Sequence, residues 1–184
     1  MTKKNWLLAA MPMLLCVACA ESHANQVTDN QLKRIEKQAD ARIESVDKRA
    51  AKRQAMVDKN FDAQKEAVSA KDAPNTERSA DMLEAAKDRS EYQVQTRAEL
   101  DKLGVRIKAA EDKIKVLGQK APDPVRNELS SISTEQSTLQ EQLVEMTEAA
   151  PSAWEVTKSK MDQRISMLDS RLSDIDSEIE DAAG

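Results

Sequence analysis

Cys16 and Cys19 stand three residues apart at the end of an apolar run, LLAAMPMLLCVACA, and are the only thiols in the chain. His23, a little further on, is the only histidine. A structural zinc site takes four Cys or His ligands, so these three residues cannot build one. No glycine-rich phosphate loop and no G-x-S-x-G elbow occurs. Asp and Glu alternate with Lys and Arg in the pattern of solvated helix faces with i,i+4 pairs, and no two carboxylates stand apart as an acid and a base. The expectation is a protein without catalytic residues, metal, cofactor or small-molecule substrate. Its 33 acidic residues outnumber 28 basic ones, which argues against a nucleic-acid partner. The reactive atom left to consider is a cysteine sulfur, and the chemistry open to it is acylation.

The surroundings of that sulfur suit acylation. Lys3 and Lys4 precede an apolar stretch, Trp6 to Ala20, that is too short for a bilayer span, which needs about 20 residues. A basic start, a short apolar core and small residues after it read as an export signal. Leu15-Cys16-Val17-Ala18-Cys19 resembles the lipobox of bacterial lipoproteins, although Cys16 stands where that family usually has Leu. The resemblance implies residues 1–18 as signal peptide, Cys19 as the lipidated first residue, and an outer-membrane anchor facing the periplasm. Ala20 follows the cysteine, in place of the Asp that would favour retention in the inner membrane. Cleavage after Ala20 or after Ala24 would instead leave a soluble periplasmic or secreted protein. Loss of residues 1–18 would take Lys3 and Lys4 with it and leave Cys19 without an intramolecular partner.

What must carry such an anchor is helical. The body is rich in Ala, Glu, Lys, Leu, Arg, Asp and Gln and nearly free of aromatic residues. The expected fold is all-α: an elongated antiparallel helical hairpin or bundle with coiled-coil segments. After a flexible tether at 19–27, a long hairpin is expected over 28–118, with eleven-residue and then heptad periodicity. In its first helix Ile35, Val46, Val57 and Val68 stand eleven apart, as do Ala39, Ala50 and Phe61. Such a period gives a nearly straight or slightly right-handed stripe. Asn75 or Thr76 caps the second helix, whose seam is Leu100, Leu103, Ile107, Ala110, Ile114 and Leu117, with looser packing expected upstream at Arg89, Gln93 and Thr96. Gly118 is placed to end it in the left-handed conformation.

A second helical pair, or one kinked helix, is expected over 124–182. Asp123 reads as the cap and Pro124 as the first helical residue. Ser152 and Glu155 fit a capping box after Pro151, which makes either a corner or a kink. The last seam is Trp154, Lys158, Met161, Ile165, Leu168, Leu172, Ile175 and Ile179. Trp154 can be a core plug or an exposed partner anchor. Arg164 and Arg171 flank one side of this seam and Asp162, Asp169 and Asp176 the other, which would suit parallel self-association of the fourth helix. The acids near the C-terminus oppose the helix dipole, so the last turn is expected to fray.

The functional reading is a non-enzymatic structural or protein-binding coiled-coil protein of the bacterial envelope, anchored through Cys19. Its partners would be other envelope proteins or further copies of itself. One alternative is a periplasmic holdase, since the chain resembles the OmpH-like chaperones in being small, exported and helical, but differs in being acidic. Another is reversible lipid-surface binding, because the eleven-residue repeats are similar to those of exchangeable apolipoproteins. Against that, the Ala/Val stripe lacks the Leu, Phe or Trp usual in interfacial helices.

Overall fold

The computed structural model describes residues 14–69, 76–146 and 150–183, and the side chains within them apart from those of residues 14–25, 69, 76, 77 and 151. These residues form four α-helices: α1 (Leu14–Ser69), α2 (Thr76–Leu117), α3 (Asp123–Glu145) and α4 (Pro151–Ala183), with a 3-10 turn at Gly118–Lys120. No strand occurs among the described residues. The protein is an all-α helical bundle. Residues 1–13 of the expected signal peptide and the side chains of Cys16, Cys19 and His23 lie outside the described residues. The backbone of 19–27 is helical where a flexible tether was expected. No Gly or Pro stands between Pro12 and Pro74, so nothing there interrupts a helix.

Ion pairs give the helix directions. Glu36, Asp47 and Asp58 of α1 meet Lys113, Lys102 and Lys87 of α2 at 3.0, 2.5 and 3.7 Å, so the two helices are antiparallel. Arg171 of α4 reaches Glu128 and Glu135 of α3, each at 2.7 Å, and Arg164 donates to Gln142 at 2.6 Å, so these two are antiparallel as well. Pro151 therefore begins a new helix after a corner. Tyr92 bonds Asp162, and Arg106 bonds Asp176, so α2 and α4 run parallel. α2, α3 and α4 form an up-down-up bundle, and α1 lies outside it along α2.

The local starts and stops follow backbone chemistry. Gly118 has φ +56° and ends α2, a conformation that would strain any residue with a Cβ. α3 starts one residue earlier than expected: Pro122, extended at φ −62° and ψ 143°, occupies the cap, and its carbonyl accepts from Arg126 N. Asp123 thus falls in the first turn, where its charge favours the helix dipole. α4 likewise begins at Pro151, which puts Ser152 inside the first turn. The C-terminal turn stays helical to Ala183, because Ile179 is buried and Ala182 and Ala183 pack on the core.

The core runs from Tyr92 through α3 to Ile179, and none of the described side chains of α1 belongs to it. Leu100, Ile132, Leu139, Leu168 and Leu172 are fully buried there. Val46 is the only buried side chain of α1 among the described residues. The two sets of contacts use different periods. Those in the bundle follow heptads, whereas the buried and half-buried positions of α1 (Leu32, Ile35, Ala39, Ile43, Val46, Ala50, Gln54, Val57, Phe61) step by 3, 4 and 4 residues.

Candidate functional site

α2 is the element every other helix uses, because it carries two seams. The heptad seam faces α3 and α4. The second seam faces α1 and repeats every eleven residues: Val94, Val105 and Val116, then Ala98 and Ala109, then Lys102 and Lys113. All seven are half-buried or buried. The matching repeat on α1 puts Glu36, Asp47 and Asp58 eleven apart, so an acid meets a lysine once per repeat. At the third repeat strict spacing would bring up Glu91. Lys87, one turn away, bridges Asp58 and Glu91 instead. The spacing of Val94, Val105 and Val116 could have been read from the sequence, but the stronger heptad on the same helix masks it.

The seam residues expected to form helix–helix interfaces come together. Leu100, Leu103, Ile107, Ile114 and Leu117 of α2 meet Ile165, Leu168, Leu172, Ile175 and Ile179 of α4 in one buried cluster. Upstream, the packing is a polar-aromatic layer and is not loose. Tyr92, unremarked in the sequence, is buried edge-on against Trp154 with ring centroids 5.5 Å apart, and Arg89 lies 5.0 Å over the indole. Trp154 is 6 % exposed, so as a partner anchor it is corrected: the indole closes the core at the start of α4. Tyr92 donates to Asp162 at 2.7 Å. Burial first, and this bond second, push its phenol well above the ordinary range.

The flanking charges of α4 are also spent inside the molecule. Arg164 and Arg171 pair with α3, and Arg106 clamps Asp169, Ser173 and Asp176. Parallel pairing of α4 with a second copy is therefore corrected, since its seam is core and its flanking charges already have partners. Gln136, 8 % exposed, is the polar residue of the α3 seam, and its amide donates to the Leu100 carbonyl at 3.0 Å. Gly104 leaves room for it: a Cβ there would lie 3.3 Å from Gln136 Nε2.

Two exposed features remain. An open groove of about 530 Å³ runs between α1, α2 and α4, floored by Ile43, Leu103 and Ile165 and rimmed by Glu99, Lys102 and Arg106. Burial, and then the charge of Asp162, raise the Glu99 carboxyl above its usual range, while Lys102 pulls the other way. The second feature is an arm. α3 ends and α4 begins level with Tyr92, so α1 and α2 continue past them as two helices alone. On or beside this arm Met56 and Met82 are 60 % and 70 % exposed, and Phe61, Val68 and Leu83 are only half-buried.

Among the described residues no group of His, Cys, Asp and Glu is placed to hold a metal ion. None of the described helices is long and apolar enough to cross a membrane. What the arrangement offers is surface for other macromolecules: a two-helix arm at one end and charged helix faces along the sides. Comparisons with protein-family models, with curated proteins and with solved structures found no match to this chain.

Proposed function

We propose that the chain is a non-catalytic spacer of the bacterial envelope, held by acyl chains on Cys19 and presenting its two-helix arm to a protein partner. The observation that carries this reading is the path of α1. It runs unbroken from Leu14 to Ser69, so the anchor region and the arm lie at opposite ends. From Cys19 to Ser69 is about 75 Å at 1.5 Å per residue. Acyl chains would supply the attachment that no side chain of the body provides, at about 0.8 kcal/mol per buried CH₂. Metabolic fatty-acid labelling tests the anchor: wild type takes up label and Cys19→Ala does not. A photo-crosslinker at Met82 should capture a discrete envelope protein, and one at Ser170, on the bundle, should not.

A holdase is the second reading, favoured by the exposed methionines and half-buried Phe61 and Leu83 of the arm. Suppression of aggregation of an unfolded outer-membrane protein, lost in Met56→Ser/Met82→Ser, would establish it. Reversible lipid binding has less support, because the Ala/Val stripe of α1 already lies on α2.

A further inference from the structure

Charge is distributed unevenly across the bundle. Residues 26–69 of α1 carry ten basic and eight acidic residues, whereas α3 and α4 together carry five basic and thirteen acidic. The basic excess gathers on one exposed flank of α1. Arg42, Arg49 and Arg53 line it, Met56 closes it, and no acid among the described residues pairs with any of these arginines. The acidic excess gathers on the outer face of α4, opposite its buried seam. Met167, 63 % exposed, heads a line that continues through Asp174, Glu178 and Asp181, which have no cationic partner among the described residues.

The two lines share a spacing. From Met56, Arg49 and Arg42 follow at seven and fourteen residues down the chain, and from Met167, Asp174 and Asp181 follow at seven and fourteen residues up the chain. Both run toward the same end of the molecule, because α1 is antiparallel to α2 and α2 is parallel to α4. We infer that a second copy of this chain, in the same orientation, docks its α4 face on this flank of α1. Met56 then meets Met167, Arg49 meets Asp174, and Arg42 meets Asp181.

Ile43 and Ile165 share one groove and so mark the same level within a molecule. Met56 lies thirteen residues to one side of that level and Met167 two residues to the other, which staggers neighbouring copies by about 22 Å. The contact joins two different faces, so each copy keeps one of each free and a row can grow. Exposed ion pairs make such an association weak and salt-sensitive. It stands independently of any anchor at Cys19.

Sedimentation equilibrium of the exported chain tests it. At about 20 mM salt the wild-type mass rises with concentration, and at about 500 mM it returns to the monomer. Arg42→Glu/Arg49→Glu and Asp174→Lys/Asp181→Lys each stay monomeric with unchanged helicity, since all four positions are exposed. An equal mixture of the two variants restores complementarity at both kinds of contact, wild-type Asp on Arg and introduced Glu on introduced Lys. Its mass rises with concentration at low salt, as that of the wild type does. A monomeric wild type at low salt, or a mixture that stays monomeric, overturns the inference. So does a monomeric wild type that sediments with an anionic glycan through Arg42 and Arg49, which would assign the arginines to that polymer.

Discussion

Gly104 lowers the helix propensity of α2 by about 1 kcal/mol relative to Ala, yet it stands where α3 comes closest. The missing Cβ admits the Gln136 amide, which donates to the carbonyl of Leu100, already the acceptor of the Gly104 N–H in helical register. Gly104→Ala should therefore gain well under 1 kcal/mol in the wild type and close to the full amount in Gln136→Ala. Urea unfolding of the four members of the cycle measures the difference, and strict additivity would mean that the amide swings aside without cost. Glu99 gives a pH prediction. Its folded-state pKa is raised by burial and by Asp162, so the folded chain binds this proton more readily than the unfolded chain does. Its contribution to stability falls as pH rises from the ordinary glutamate range through the raised value. Glu99→Gln should flatten that fall and leave a variant more stable than wild type at neutral pH, as followed by thermal melts across the range.

At the scale of elements, α2 is held on two sides by different means. Toward α3 and α4 it buries Leu and Ile in heptads. Toward α1 it offers Val, Ala and Lys in elevens, with a cross-helix ion pair at each repeat. Small side chains let the two backbones approach over a long stretch, but they remove little apolar area from water. Leu172→Ala, at a position with no exposure, should cost about 2–5 kcal/mol. Val46→Ala, the best-buried position of α1, should cost about 1–2 kcal/mol. Chemical denaturation of both variants checks the ranking, and equal losses would contradict the division of the molecule into core and outer helix.

For the whole molecule, that division predicts graded stability. The core holds none of the described side chains of α1, so α1 can leave α2 while α2, α3 and α4 keep their cluster intact. Native-state hydrogen exchange should show amides of α1 beyond the Val46 region exchanging well before those around Leu100, Ile132 and Leu172. Uniform protection would show one cooperative unit. In the proposed spacer the consequence is directional: the outer helix would join an anchor at Cys19 to the arm, and the bundle would stiffen the middle of that path.

Much of this was legible in the residues. Helical class, the breaks at Gly118 and before Pro151, the eleven-residue stripe of α1 and the heptad seams all follow from periodicity and backbone chemistry within one segment, which sequence spacing reports directly. The extra seam of α2 was present too, in Val94, Val105 and Val116, but hidden under a stronger pattern. Other assignments depended on contacts between residues 29 to 65 positions apart. Trp154 became core because Tyr92 and Arg89 cover it, and Arg164, Arg171 and Asp169 became internal clamps because α3 and α2 supply opposite charges. Sequence determined which stripes must be buried. Tertiary structure alone decided which stripes meet, because side-chain spacing sets the face of a helix but not the register or the partner against which that face packs.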